Sequence, residues 1–346
     1  IENIRNAVIG DQRAIRTPFG EHPLVYADYT ASGRGLDFIE DYIRDEVLPW
    51  YANTHTEISF TAAQTTALRE QARQQIRAAV NGTAEDQVMF CGPGATSAIN
   101  KLVDILNLRL PRDLANRYEL DAAIPAGQRP VVFIGPYEHQ SNELPWRESI
   151  ADVVAIPLTA EGQIDLDVLE EQLCAYASRP LRIGSFSAAS NVTGVKSDVA
   201  SVSALLKRHG ALAFWDYAAA APYVGIDMNG AASLDAVFIS PHKFVGGPGT
   251  PGVLVVKRDI MQNSVPAVVG GGTVLYVTPE DHQFIDDHEH REEGGTPAII
   301  ESIRAGLVFK LQQEVGTAEI ERREGDFVSR AIDRLRQCPN LEILGN

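Results

Sequence analysis

The sequence contains few cysteines, and they form no motif. The 346 residues include only Cys91, Cys174 and Cys338. These three lie far apart, with no CxxC pair and no spacing typical of a metal site. The pattern argues against a disulfide-stabilised scaffold and is simplest in a reducing compartment. We therefore expect a cytoplasmic protein.

A surplus of basic residues is also absent. Asp and Glu number 46 against 30 Lys and Arg, which gives a formal net charge of −16. Nucleic acids and anionic membranes bind basic surfaces, so we expect neither as a partner. No apolar run approaches the length of a membrane span. Residues 1–30 lack the charged-then-apolar pattern of a secretory signal.

Histidines are few, and their densest group does not indicate a metal. His282, His288 and His290 stand in the acidic run of residues 281–293. No pair of them has the helical i, i+4 spacing that metal-binding histidines often use. An acidic run of this kind is more typical of a solvated loop, and we expect no metal site.

Apolar residues make up 45% of the chain and occur in short runs separated by helical patterns. The runs are continuous rather than alternating, which is typical of strands buried on both faces of a parallel sheet. We therefore predict an α/β fold whose mainly parallel central sheet is covered by helices and binds ligands at the carboxyl ends of its strands. The predicted strands are Gln87–Cys91, Val131–Ile134, Val153–Ile156, Arg182–Phe186, Leu212–Trp215, Ala236–Ile239 and Gly252–Val256.

The chain divides into three predicted parts. Residues 1–30 form an N-terminal segment, and residues 31–300 form a large domain that contains the sheet. After a less regular stretch, helical periodicity resumes over Pro297–Gln313 and Thr317–Gln337. We therefore predict that residues 301–346 begin a smaller C-terminal α+β domain, of which the chain carries only the start.

One lysine, Lys243, lies in a loop between two of the apolar runs. The loop opens on Ser240-Pro241-His242-Lys243, directly after Ala236–Ile239. Burial lowers the pKa of a lysine amine, and a neutral amine is what Schiff-base chemistry with an aldehyde cofactor requires. The alternative is an exposed lysine in an ordinary loop between strands.

A glycine turn joins a predicted strand to a predicted helix. Gly92-Pro93-Gly94-Ala95-Thr96-Ser97 follows the run that ends at Cys91, and a helical pattern continues to Leu108. Free backbone N–H groups and a hydroxyl at a helix N-terminus bind phosphate well. The same residues are also compatible with a plain tight connection.

Two further polar residues follow predicted strands. His139 comes after Val131–Ile134, where an imidazole can lie flat on an aromatic ring, although a single loop histidine is more often a surface residue. Asp216 closes the apolar run Leu212–Trp215. A carboxylate in that position either caps a helix or meets a buried cation, such as a protonated pyridine nitrogen.

The order of these motifs resembles a known family. Asp216, then Ser240-Pro241-His242-Lys243-Phe244, then Gly246-Gly247-Pro248 is similar to the class V aminotransferases, a family of pyridoxal 5′-phosphate (PLP) enzymes that includes cysteine desulfurases and selenocysteine lyases. The likeness extends over residues 26–316. It implies the PLP-dependent transferase fold type I, with residues 31–300 as the PLP-binding domain.

The resemblance also implies catalytic roles. Lys243 would form the internal aldimine with PLP and later move protons. Asp216 would keep the pyridine nitrogen protonated, so that the ring accepts electrons. His139, in the pattern His-x-x-Asn, would stack on the ring. Asn191 resembles the asparagine that faces the ring edge and the substrate carboxylate.

Further residues would bind the cofactor phosphate. Ala95 and Thr96 match the phosphate-binding turn, joined by Ser240 and His242 from the lysine loop. Gly295-Thr296 is similar to the segment that family dimers extend to the phosphate of the neighbouring subunit. The resemblance therefore implies a homodimer.

The sequence does not decide which of several reactions takes place at the α-carbon of an amino acid. The branch of desulfurases and lyases is the most similar, and transamination or epimerisation in a biosynthetic pathway is the alternative. A desulfurase needs a nucleophilic cysteine on a mobile loop, and none of the three cysteines stands in such a context. The resemblance places the family arginine for the substrate carboxylate in a C-terminal portion that this sequence does not include, so desulfuration is neither supported nor excluded. The alternative from another functional class is a catalytically silent scaffold protein. The intact Lys243 and Asp216 argue against it.

His55 is the last candidate. Asn53-Thr54-His55-Thr56 resembles a histidine loop that lies near the substrate in some family members, but the match is short. An ordinary polar loop is the simpler interpretation.

Overall fold

A seven-stranded sheet lies at the centre of the computed structural model, which describes residues 1–11, 13–54 and 58–343. The strands of the described residues, including those outside this sheet, are β1 (Ala14–Thr17), β2 (Gly20–Pro23), β3 (Asp86–Phe90), β4 (Val131–Ile134), β5 (Asp152–Ala155), β6 (Arg182–Ser187), β7 (Leu212–Asp216), β8 (Ala236–Ile239), β9 (Val253–Lys257), β10 (Val274–Val277) and β11 (His282–Phe284). The order in the central sheet is β3-β9-β8-β7-β6-β4-β5, while β1 pairs with β2 and β10 with β11 as separate hairpins.

The central sheet is mainly parallel, as predicted. The five neighbouring strands from β8 to β5 are parallel to one another. β9 runs antiparallel to both β8 and β3. β3 therefore points the same way as the five parallel strands, and the carboxyl ends of six strands meet at one end of the sheet.

Helices and short helical turns connect the strands. The α-helices of the described residues are α1 (Glu2–Asn6), α2 (Asp37–Tyr42), α3 (Phe60–Ala79), α4 (Gly94–Ile105), α5 (Arg112–Tyr118), α6 (Leu120–Ala123), α7 (Gln140–Arg147), α8 (Leu166–Ala175), α9 (Val199–Arg208), α10 (His288–Arg291), α11 (Ile299–Val315) and α12 (Thr317–Leu335). Ile43–Val47 is a π-helix, and 3-10 turns occupy Leu48–Trp50, Ala126–Gln128, Pro241–Lys243 and Arg258–Ile260.

The strands are apolar throughout because both faces of the sheet are covered. Alternate side chains of a strand point to opposite faces. Trp215 and Val237 therefore pack with α3, α8, α9 and α11, whereas Phe214 and Phe238 pack on the other face with α4 and α7. Two apolar layers thus enclose the sheet and leave its ends for other contacts.

The two C-terminal helices differ in burial. α11 buries Val308 and Phe309 in the layer that contains Trp215, whereas α12 has no buried residue. The predicted division of the chain at residue 300 falls at the start of α11 and stays a prediction. Within the described part of the chain, no helix is both long enough and apolar enough to cross a lipid bilayer.

Charged side chains cover the outer edge of β3, where no further strand of the described residues pairs. Glu289 accepts a hydrogen bond from the N–H of Val88 at 2.5 Å, and Glu293 accepts one from the N–H of Phe90 at 2.6 Å. Arg73 donates to Glu293 at 2.9 Å. Burial raises the pKa of Glu293, but the arginine charges outweigh it and lower the pKa to about 2. This edge cluster comprises Arg69, Arg73, Glu289 and Glu293.

The edge cluster provides a test of stability. Removing one partner of a buried ion pair leaves an uncompensated charge, so Arg73→Ala should lower the free energy of unfolding by about 3–5 kcal/mol. Urea denaturation measures the change. Arg322→Ala, which breaks an exposed pair with Glu319, is the control and should have little effect. Equal stabilities of the two variants would contradict a structural role for the cluster.

Candidate active site

A cavity of about 890 Å³ opens at the carboxyl ends of the strands. Its walls come from the segments that follow β3, β4, β6, β7 and β8, and from the N-terminal segment around Asp28. This is where ligands bind in open parallel sheets. Eight of the nine predicted cofactor-binding residues line it: Ala95, Thr96, His139, Asn191, Asp216, Ser240, His242 and Lys243. The roles of these residues stay predictions.

Lys243 ends the short 3-10 turn that follows β8. Pro241 is the first residue of this turn, where the fixed φ of proline favours a helical start. Burial lowers the pKa of the Lys243 amine, although the charges of Asp216 and Asp28 act in the opposite direction. Among the described residues no carboxylate forms an ion pair with this amine. Its neutral form is therefore more accessible than that of a surface lysine.

Asp216 is the last residue of β7 and is only 4% exposed. Its Oδ1 accepts the N–H of Ala218 at 2.8 Å. Burial raises the pKa of the carboxyl group, while that hydrogen bond and the charge of Lys243 lower it. A buried carboxylate is costly without a cation, and the protonated nitrogen of a pyridine ring supplies one. Asp216 therefore fits the ring of PLP.

The N-terminus of α4 faces the same cavity. Gly94 has φ +54°, and a Cβ at this position would lie 2.9 Å from Ser240 Oγ and 2.9 Å from the ring of His242. Ser240 Oγ accepts the N–H of Ala95 at 2.9 Å, which ties the turn to the lysine loop. The N–H groups and positive dipole end of this helix favour a phosphate.

His139 caps α7 instead of lying in a plain loop. Its Nδ1 accepts the backbone N–H of Ser141 at 3.2 Å and lies 3.0 Å from Ser141 Oγ. Because a backbone N–H only donates, the ring proton of neutral His139 belongs on Nε2 in this geometry. Ser141 Oγ also lies 2.7 Å from Thr96 Oγ1, so one hydroxyl connects the histidine to the phosphate turn.

Several residues of the cavity were not predicted from the sequence. Asp28, Thr30, Ser141, Ser187 and Thr250 also line it. The N-terminal segment reaches the site because Gly33 N–H donates to His242 O at 2.9 Å. A Cβ on Gly33 would lie 1.8 Å from Phe244 O, so this approach requires glycine. The small residues of Tyr26–Gly35 were the available signal for a close contact.

Thr296 is the predicted residue that does not line this cavity. Asn53 Nδ2 donates to its Oγ1 at 3.3 Å. The cysteines lie outside the site as well: Cys91 is buried, and burial raises the pKa of its thiol to about 12, whereas Cys174 and Cys338 are exposed. His55 falls outside the described residues.

The acidic histidine run forms ion pairs in the structure. Hydrogen bonds to Asp287 and Glu70 raise the pKa of His290 to about 10. Within the described ranges, no group of three or more His, Cys, Asp or Glu side chains has the arrangement of a metal site.

The family model for aminotransferase class-V matches residues 25–346. The chain is 28% identical over 331 residues to a protein of Halalkalibacterium halodurans named probable cysteine desulfurase, and the match covers 93% of this chain and 75% of that protein. It is also 28% identical over 327 residues to the cysteine desulfurase of Klebsiella pneumoniae, with 93% and 75% covered.

Solved structures show the same fold. The apo cysteine desulfurase of Thermococcus onnurineus superposes with a TM-score of 0.78 at 22% identity, covering 97% of this chain and 76% of that one. The cysteine desulfurase CsdA of Escherichia coli superposes with a TM-score of 0.71 at 22% identity, covering 90% and 73%.

The fold and the family match together define a PLP-dependent enzyme of fold type I. The chain belongs to the aminotransferase class-V family, because the family model matches nearly its whole length. The resemblance drawn from Asp216 and the lysine loop is thereby confirmed.

The phosphate turn gives a test of the site. Gly94→Ala would place a methyl group against Ser240 and His242 at a positive φ, so we expect the Kd for PLP to rise about tenfold or more. Absorbance titration of the apoprotein with PLP measures it. Gly127→Ala, where a Cβ meets no atom within 4 Å, is the control. Unchanged affinity in Gly94→Ala would remove this turn from the binding site.

Proposed function

We propose that this chain binds PLP in the cavity and acts at the α-carbon of an amino acid, with cysteine as the substrate. The observation that carries the proposal is the placement of Lys243 and Asp216. Lys243 follows β8 and Asp216 ends the adjacent parallel strand β7, and both line one cavity with the N-terminus of α4. An amine, a buried carboxylate and an anion-binding helix end match the aldehyde, ring nitrogen and phosphate of PLP.

When bound, PLP supplies an aldehyde that combines with amines and a ring that accepts electrons when a bond to the α-carbon breaks. The residues of the chain supply the rest. Asp216 holds the proton on the ring nitrogen. Ala95, Thr96, Ser240 and His242 hold the phosphate.

Lys243 has two tasks in this proposal. Its amine would bind the cofactor aldehyde, and in its neutral form it would take the proton from the α-carbon of the substrate. A lysine whose pKa is lowered by burial is suited to both tasks, because each requires the neutral amine. His139 would lie against one face of the ring, and Asn191 would face the substrate carboxylate.

We further propose a cytoplasmic homodimer. Thr296 does not line the cavity of its own chain, which supports a role at the cavity of a neighbouring subunit. Gly295 adopts φ +88°, and its N–H donates to Gly271 O at 2.8 Å, so a glycine turn fixes the segment. Gly295-Thr296 would then contact the phosphate bound by the other subunit.

The names of the relatives support cysteine as the substrate. Desulfuration transfers the sulfur of cysteine to a thiolate and leaves alanine. No described cysteine lines the cavity, so the accepting thiolate comes from elsewhere in this proposal. The same observation favours transamination as a second candidate, since amino transfer needs no thiolate.

Covalent attachment tests the role of Lys243. Borohydride reduction of the protein with PLP should attach the cofactor to Lys243, and mass spectrometry of the digested protein locates it. Lys243→Ala should retain no label and lose at least about 10³-fold in turnover. Lys257→Ala, whose side chain pairs with Asp86, is the control and should be labelled normally. Label on another lysine would contradict the assignment.

The product distinguishes the two reactions. With cysteine and dithiothreitol as the thiol, we expect alanine and sulfide in equal amounts. Cysteine with a keto acid would instead give amino exchange if transamination is correct. Asp216→Asn should lower either activity strongly, because a neutral side chain does not hold the proton on the ring nitrogen. Amino exchange without sulfide would overturn the choice of desulfuration.

The pH dependence of PLP attachment provides a further test. Attachment requires the neutral amine, and burial lowers the pKa of Lys243 below its ordinary value. The initial rate should therefore rise with pH and level off at a lower pH than that at which a free lysine amine reacts at its maximum. Stopped-flow absorbance measures the rate, with an acetylated lysine ester as the reference. Identical pH profiles for protein and reference would contradict a buried amine.

A further inference from the structure

A second, half-buried carboxyl group contacts Ser187 at the wall of the cavity. Glu138 precedes His139 in the segment between β4 and α7. Its Oε1 accepts the N–H of Gly135 at 3.2 Å and that of Ser187 at 3.0 Å. Its Oε2 accepts the amide of Asn142 at 2.7 Å and the hydroxyl of Ser187 at 2.6 Å. Four donors therefore surround a side chain that the proposed reaction does not use.

The neighbours of Glu138 fix its position. Asn142 is fully buried, and its Oδ1 accepts the hydroxyl of Ser185 at 2.7 Å. Ser185 Oγ in turn accepts the indole N–H of Trp146 at 3.1 Å. This network is satisfied and tightly packed, so the carboxyl group cannot turn away without losing several buried hydrogen bonds.

Glu138 is electrostatically connected to the cofactor site through β6 and β7. Its partner Ser187 lines the cavity and stands opposite Asp216 in the register of these two strands. Burial and, to a smaller extent, the charge of Asp216 raise the pKa of Glu138 to about 7, although its hydrogen bonds from Ser187 and Asn142 act in the opposite direction. The charge of Asp216 thus opposes the ionisation of Glu138 on the neighbouring segment.

Few other charged groups face Glu138. Tyr137 and His139 adjoin it in the chain, and the charge of Lys243 acts on Asp216. In the part of the chain that the structure describes, no Arg or Lys forms an ion pair with Glu138. A cation bound beside Asp216 is therefore the group that would relieve the repulsion between the two carboxylates.

We propose that Glu138 is a positioning residue whose negative charge, acting with that of Asp216, favours the protonated ring nitrogen of bound PLP. The proposal rests on the proposed PLP function. Glu138 does not touch the ring; it acts through the electric field behind Asp216 and through the segment that presents His139. PLP binding and ionisation of Glu138 consequently favour each other.

Glu138→Gln tests the charge while it keeps the size of the side chain. The ratio of Kd values for PLP, variant over wild type, should be close to one below about pH 6, where Glu138 is protonated. It should rise about tenfold and level off above about pH 8, where Glu138 carries its charge. Glu143→Gln, five residues along and paired with Arg147 at the surface, should give a ratio near one throughout.

Two comparisons separate the effect of the Glu138 charge from an effect of the substitution on the structure. A PLP analogue whose ring nitrogen is replaced by carbon has no proton to stabilise. The ratio of its Kd values, Glu138→Gln over wild type, should therefore stay near one at every pH. Ser187→Ala removes one donor from the carboxylate but keeps the charge. Losing that hydrogen bond raises the pKa of Glu138, so the pH step should move upward in this variant.

The outcomes are distinct. A ratio that does not change with pH, or an equal loss with the carbon analogue, would overturn the role of Glu138 even if PLP binds. Failure of the wild-type protein to bind PLP would instead overturn the proposed function. If Glu138→Gln does not fold, the ratio of Kd values for PLP, Ser187→Ala over wild type, decides. A rise confined to the pH range around the pKa of Glu138 supports the proposal, and a ratio that does not change with pH refutes it.

Discussion

The buried carboxylate of Asp216 is the constraint around which the site is arranged. An ionised group at the end of an apolar strand needs a cation, and among the described residues none forms an ion pair with it. Lys243 is close enough to affect its pKa, yet burial lowers the pKa of this amine too. The pair is therefore poorly balanced without a ligand. A bound ring with a protonated nitrogen supplies a cation for the carboxylate of Asp216, and an aldehyde supplies a group that reacts with the amine of Lys243.

The central sheet could be predicted from the sequence because its strands are buried on both faces. Runs such as Val131–Ile134 and Ala236–Ile239 coincide with β4 and β8 to the residue. The hairpin of β1 and β2 could not be predicted from the sequence, since its strands are exposed and carry no apolar pattern. α7 has no clear signal in the sequence, because Pro145 lies within it and its cap is a histidine rather than a typical Ser, Thr, Asp or Asn. The antiparallel direction of β9 depends on pairing, which the composition of the run does not encode.

The site could be predicted only where a residue type has one dominant chemical use. Lys243 and Asp216 carry such signals, and the resemblance to the family supplied the rest. Ser141 and Ser187 carry no signal, because serine is common in turns and strands and their importance comes from hydrogen bonds across segments. Glu138 stands beside His139 in the sequence, but its burial depends on the contact of the β4–α7 segment with β6, which is a tertiary feature.

The edge cluster on β3 has a consequence for association between molecules. An open strand edge is a template for a strand of another chain and hence for aggregation. Here carboxylates occupy the N–H groups of Val88 and Phe90, so that edge cannot accept a new strand. The lowered pKa of Glu293 keeps it ionised until the solution is strongly acidic, so its cover of the Phe90 N–H persists through mild acid and is lost only as pH falls towards about 2. Any assembly of this protein therefore does not continue its sheet through β3.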